Sequence, residues 1–236
     1  MNFLGDVVSW FGDGTHWQGT NGIPHRVEEH VVMSMAVVVA ALVVALPPSI
    51  VLGHLRRFGA LAVNVSNIGR AIPSFAILVF AAQVVGIGAK PAFIALFVLA
   101  VPPLVTNAYV GMSGVPTDVR ESARGMGMTG WQSLRRVELP MALPVLLAGV
   151  RTAAVQVVAT ASLAALVAWG GLGRYIVDGL AQRDYVKVFA GAFLVALLAI
   201  LTELAFALGE RIAVAPGLRH HVGSRARRVK AATPPA

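Results

Sequence analysis

Long apolar runs separated by short polar or basic stretches dominate the pattern of this chain. No charged residue occurs from Val31 to Gly53. A helix crossing a bilayer needs roughly 20 mostly apolar residues at about 1.5 Å each, and this run suffices. A second span is expected to start near Gly59, with Ala71 to Ala89 as its charge-free part. Further spans are expected at Pro91 to Val115, Thr152 to Gly173 and Val188 to Gly209, the last with Glu203 as its one charge. The pattern thus predicts an all-α polytopic membrane protein of five transmembrane helices, or six if Pro73 divides the second region. Prolines 47, 48, 73, 102 and 103 predict kinked or broken helices, as in a transport pathway, although membrane helices kink without transport too.

Composition supports lipid as the solvent. Of 236 residues, 57% are hydrophobic and 13% charged, against about a quarter charged in soluble domains. Mean hydropathy is +0.75. The chain has no cysteine, which excludes disulfides and thiolate metal sites. No metal site is expected. Residues 1–29 lack the basic start and cleavage site of a signal peptide and read as an external segment. A membrane domain at 30–212 and a basic, disordered tail at 213–236 complete the expected organisation.

The net charge of +8 matters through its placement. With five spans and the N-terminus outside, the inner side receives Arg56, Arg57, Arg120, Arg124, Arg135, Arg136, Arg151 and six basic residues from Arg211 onward. The outer side receives Arg26, Lys90, Arg174, Arg183 and Lys187, and Arg70 stays unassigned. Thirteen against five favours a cytoplasmic C-terminus by the positive-inside rule.

The longest inner loop, Gly114 to Pro140, carries the chemistry. Asp118 and Glu121 have capping-box spacing, and so do Thr129 and Gln132. Gly125 and Gly127 weaken the helix between them, and Leu139–Pro140 is expected to close the second one. The loop therefore reads as two short helices joined by a glycine turn. On physical grounds an amphipathic connector with Arg135 and Arg136 on lipid headgroups is one explanation, and a helix-turn-helix reader of nucleic acid is the other. Spans on both sides argue against a helix-turn-helix reader of nucleic acid, which needs open access to a groove.

Glu121-Ser122-Ala123, three residues, Gly127, nine residues, Val137, one residue and Leu139-Pro140 closely resemble the EAA signature of ABC-importer permeases. Ser122 and Val137 are the departures, standing where that pattern has Ala and Ile. Arg70-Ala71-Ile72-Pro73-Ser74, the stretch Val101 to Tyr109, and Gly170-Gly171-Leu172-Gly173 resemble the osmoprotectant branch, which imports glycine betaine, carnitine, choline and proline betaine. That branch often has Gln at the position of Arg70. Methionine-importer permeases share the loop and a similar glycine stretch. The resemblance covers roughly residues 30 to 210.

The resemblance implies a type I ABC importer permease fold in a bacterial cytoplasmic membrane. It also implies two ABC ATPase subunits, a second permease, identical or paralogous, and an extracytoplasmic substrate-binding protein. Glu121, Ser122, Ala123, Arg124, Gly127, Val137, Leu139 and Pro140 would form the ATPase-coupling loop. Glu121 and Arg124 would make charge-assisted contacts, and Ala123 and Gly127 would let the partner backbone approach closely. The chain is expected to hold no cofactor and to perform no catalysis. ATP and Mg belong to the partner, because no Gly-Lys-Ser/Thr phosphate loop is present.

Gln83, Asn107 and Gln156 are candidates to line the pathway, although interhelical hydrogen bonding explains them equally well. Glu203 is expected to snorkel or to pair with Arg151. Small residues from Gly149 to Ala168 fit close helix packing or ordinary alanine-rich composition. Competing functions are a methionine or amino-acid importer, a non-translocating membrane scaffold or regulatory subunit, and an ion-driven secondary transporter.

Overall fold

The computed structural model describes residues 2–57, 59, 64, 66, 67, 69 and 71–213. Arg70 and the basic tail from residue 214 lie outside them, as does most of the start of the second region. Among the described residues every regular element is helical. They are α1 (Phe3–Gly12), a 3-10 turn (Gly14–Trp17), α2 (Ile23–Leu55), α3 (Ser74–Val85) and α4 (Ala89–Ser113). Two short helices follow, α5 (Thr117–Gly125) and α6 (Gly130–Ser133), with a π-turn (Leu134–Glu138) leading into α7 (Leu139–Thr160). A 3-10 stretch (Ala161–Val167), α8 (Gly173–Gln182) and α9 (Tyr185–Ala213) follow, and α9 ends at the last of the described residues.

Four of the described helical segments are long and apolar enough to cross a membrane: Ile23–Leu55, Ala89–Ser113, Gly130–Val167 and Tyr185–Ile212. Within the expected second span, the helix after Pro73 is shorter than the charge-free run Ala71 to Ala89. α3 has 12 residues, about 18 Å of helix against a hydrocarbon core of about 30 Å. Gly86 and Gly88, at φ +81° and +116°, end it before Ala89. Pro73 interrupts the helix on the other side, at φ −59° and ψ 125°. α2 and α4 nonetheless run in the same direction, since the C-terminal turns of both reach the Arg120 side chain. The chain therefore returns across the bundle between them, and α3 belongs to that return.

The expected fourth span needs a larger correction, because its helix starts well before Thr152. Arg151, which marked that boundary, lies within α7 and pairs with Glu203 and Glu210 of α9. A paired charge does not end a helix. The expectation for Glu203 is met by the same contact. The boundary at residue 29 likewise falls inside α2, which runs unbroken from Ile23. Pro47, Pro48, Pro102 and Pro103 sit inside continuous helices.

α2, α4 and α7 pack around one core containing Val37, Ala41, Leu104, Ala153 and Val157. Small residues make this possible. A Cβ at Gly149 would lie 2.6 Å from the Cβ of Asn107 and 3.2 Å from the carbonyl of Pro103. Ala153, Ala154, Ala161, Ala164 and Ala165 are buried, while Ala168 is exposed in a left-handed turn at φ +62°. A second cluster joins α1, α8 and α9 through Trp10, Leu172, Tyr175 and Ala190. On α9, Phe193, Leu197, Ile200, Leu204 and Leu208 remain exposed, an apolar face suited to lipid.

Candidate functional site

The Gly114–Pro140 loop folds as two short helices around a glycine turn. α5 starts at Thr117 because Pro116, at φ −56° and ψ 142°, holds the preceding backbone extended. The expected Asp118–Glu121 capping box does not form. Asp118 lies in the first turn, where its charge favours the helix dipole, and its carbonyl accepts the Ser122 hydroxyl at 2.8 Å.

α5 ends in a Schellman arrangement. Met128 N–H donates to the Ala123 carbonyl at 3.1 Å and Gly127 N–H to the Arg124 carbonyl at 2.9 Å. Gly127 sits at φ +80°, a region that L side chains resist. The second capping box is present in full. Thr129 Oγ1 accepts the Gln132 N–H at 3.3 Å, and Gln132 Oε1 accepts the Thr129 N–H at 2.9 Å.

Leu139–Pro140 does not close the second helix. Backbone helicity continues from Gly130 through the π-turn into α7, with Leu139 at φ −62° and ψ −46°. In the π-turn the Leu139 N–H reaches back to the Leu134 carbonyl. Pro140 then falls in the first turn of α7, where a missing N–H is tolerated.

The inward face of the loop is fastened by a buried polar cluster that the sequence reading did not foresee. Arg120 is 6% exposed and Glu138 1%. Arg120 Nη2 meets Glu138 Oε2 at 2.5 Å. His54 Nδ1 lies 2.8 Å from that oxygen, and Ser133 donates to Glu138 Oε1 at 3.0 Å. Facing a carboxylate, the His54 nitrogen acts as donor. Arg120 also donates to the carbonyls of His54 and Met112, both at 3.0 Å. These belong to the last turns of α2 and α4, where carbonyls lack helical partners. Burial lowers the Arg120 pKa from its ordinary value, and Glu138 opposes that shift. A guanidinium nevertheless keeps its charge in proteins. Arg56 adds contacts to the Val115 carbonyl at 2.6 Å and to Thr117 Oγ1 at 3.0 Å.

The outward face of the same loop is open. Glu121, Ser122, Arg124, Gly127, Arg135, Arg136 and Pro140 are exposed, and Val137 and Leu139 are half-buried. Two large apolar side chains join this face, Met126 at 71% and Trp131 at 67% exposure. Ala123 is a correction: at 1% exposure it packs within the chain itself, so its small size cannot admit another subunit.

The pathway candidates lie on three different helices. Gln83 is exposed on α3, Gln156 is half-buried on α7, and Asn107 on α4 donates to its own helix at the Pro103 carbonyl, 2.8 Å away. No hydrogen bond joins the three among the described residues. None of the described His, Asp or Glu residues forms a group of three suited to a metal ion.

The described residues thus form a helical bundle with four segments long and apolar enough to cross a membrane, and one loop of it is fastened on one side and open on the other. The family model for "Binding-protein-dependent transport system inner membrane component" matches residues 37–211, and the chain belongs to that family. It is 37% identical to the glycine betaine/carnitine/choline transport system permease protein OpuCB of Bacillus subtilis, over 85% of this chain and 93% of the relative. It is 38% identical to the carnitine transport permease protein OpuCB of Listeria monocytogenes, over 86% of this chain and 90% of that one. Among solved structures it resembles an inward-facing MetNI methionine ABC transporter chain, with a TM-score of 0.68 and 27% identity. That match covers 79% of this chain and 94% of the other. The fold is that of a type I ABC importer permease.

Proposed function

We propose that this chain is the permease subunit of an ABC importer for an osmoprotectant of the glycine betaine, carnitine and choline class. The observation that carries the coupling role is the loop at Gly114–Pro140. Its outer face offers Glu121, Arg124, Met126 and Trp131 to a partner, while Arg120 and Glu138 fix its inner face. The substrate class rests on the relatives, which align over 85–86% of the chain.

In this reading the open face docks on an ABC ATPase subunit, one for each of two permeases, and an extracytoplasmic binding protein delivers the solute. ATP and Mg act only in the ATPase subunit, and this chain performs no hydrolysis. Closure of the ATPase pair moves the docked loops, and the bundle alternates between its two accessible states as a rigid body. Glu121, Ser122, Arg124 and Gly127 then make up the contacted face, with Val137, Leu139 and Pro140 setting the entry into α7. The N-terminus and α1 lie outside, and the Arg120 end of the bundle faces the cytoplasm.

Reconstitution of the permease with its ATPase and binding protein into liposomes tests the reading. ATP-dependent uptake of labelled glycine betaine, carnitine or choline supports it. Uptake of methionine alone assigns the chain to the alternative importer class, and absence of any uptake supports a scaffold. Because the chain has no cysteine, single cysteines at Ser9 and Trp131 test orientation cleanly. An impermeant thiol reagent is expected to label only the former in intact cells.

A further inference from the structure

Resting on the coupling role proposed above, we infer that Arg120, with Glu138, is the joint through which movement of the docked loop reaches the membrane helices. Neither residue belongs to the loop's exposed face, and both are buried. The covalent chain joins the loop only to α4 on one side and α7 on the other. Arg120 adds what the chain does not provide. Its guanidinium holds the last turn of α2 through the His54 carbonyl, the last turn of α4 through the Met112 carbonyl, and the start of α7 through Glu138.

His54 closes the ring by reaching Glu138 from α2 itself. One planar, rigid side chain therefore ties three spanning helices to α5, which it also belongs to. The fork of five N–H donors suits this role, whereas a lysine offers a single point charge. Arg120 Nε has no partner among the described residues, so the grip is made by the terminal nitrogens alone.

The π-turn strengthens the case. It lies at Leu134–Glu138, between the docking helix α6 and the long helix α7. π-turns in helices tend to sit at functional positions, and this one is a soft point in the direct helical path from α6 to α7. Load arriving at Trp131 would flex the chain there unless Glu138, at the end of the turn, were fixed from the side. Arg120, His54 and Ser133 fix it.

The test uses the intact transporter, with ATP consumption and solute uptake measured on the same liposomes. Removing one charge would leave the other buried without its partner, so the informative variants are Arg120→Lys and the double amide Arg120→Gln/Glu138→Gln. The double variant is expected to assemble with the ATPase subunit and to hydrolyse ATP. Its solute moved per ATP, and the stimulation of hydrolysis by loaded binding protein, are each expected to fall about tenfold. Arg120→Lys is expected to fall less, since it keeps the ion pair and loses the grip on the two carbonyls. Unchanged solute per ATP in both variants overturns the inference. So does failure of both to assemble, which would make the pair a folding element only. Failure of the parent complex to transport would instead overturn the importer reading.

Discussion

The carboxylate of Glu29 accepts the backbone N–H of Gly171 at 2.7 Å, joining positions 142 residues apart. This contact latches α2 to the turn that follows the 3-10 stretch. Arg26 holds the same Glu29 oxygen at 2.7 Å. The next residue, His30, extends the latch: its Nε2–H donates to the Val158 carbonyl at 2.8 Å, and its Nδ1 accepts the Leu172 N–H at 3.3 Å. Both ring nitrogens are used by a neutral imidazole with the proton on Nε2. The glycine-rich turn is thus read by its backbone.

Two glycines in that turn predict graded effects. A Cβ at Gly170 would collide with the Glu29 carboxylate, the movable end of a side chain. A Cβ at Gly173 would collide with the Ser162 carbonyl, which is backbone. Gly173→Ala is therefore expected to destabilise more than Gly170→Ala, by about 1–3 kcal/mol as other overpacked sites do. Melting temperatures of the two purified variants check the order. Equal melting would show that the turn yields as a whole.

Arg151 faces two carboxylates on α9, Glu203 and Glu210, the latter at 3.5 Å. All three side chains are about one-third exposed, so the protein encloses the pair only in part. Arg151→Ala leaves both acids without their common partner. The double variant Arg151→Ala/Glu203→Gln is expected to be more stable than the sum of the single losses, by about 0.5–3 kcal/mol. A double-mutant cycle on thermal unfolding measures the difference. Strict additivity would mean that the pair contributes nothing.

The same pair shows where sequence reading succeeds and where it stops. Apolar runs located α2, α4 and α9 to within a few residues at their C-terminal ends, because burial in lipid is a property of composition over twenty positions. Arg151 misled the placement of α7, since an isolated charge looks like a boundary until its partner on α9 is known. The glycine turn at Gly127 and the Thr129 box were legible because both are local devices. Asp118 failed as a cap because Pro116 decided the helix start instead. Arg120 and Glu138 were legible only as charges, one of them counted with the inner basic residues. The carboxylate between Val137 and Leu139, at the entry to an apolar run, was the one available sign of a buried ion pair.

Thr129 closes the amino end of α6 with its hydroxyl. Thr129→Ala removes one half of the reciprocal box and is expected to cost about 0.5–2 kcal/mol, confined to the loop. Hydrogen exchange of the amides at Gln132 and Ser133 is expected to accelerate, while the amides of α2 and α4 keep their protection. Loss of protection throughout the bundle would contradict this local role.

Trp131 and Met126 are large apolar side chains left in the open on the loop's outer face. The isolated permease gains little from either, so Trp131→Ala is expected to change its stability by less than about 0.5 kcal/mol. In the proposed complex the same indole is an anchor seated in the ATPase subunit. Buried aromatic anchors at such interfaces are worth about 2 kcal/mol or more, which corresponds to at least about a tenfold loss of ATPase affinity. Binding of the ATPase subunit to detergent-solubilised permease measures this directly. Arg135→Ala on the same exposed face serves as a comparison, because a solvated charge at a rim contributes less than a desolvated ring. If Trp131→Ala binds as tightly as the parent chain, the outer face of the loop is not where the ATPase docks.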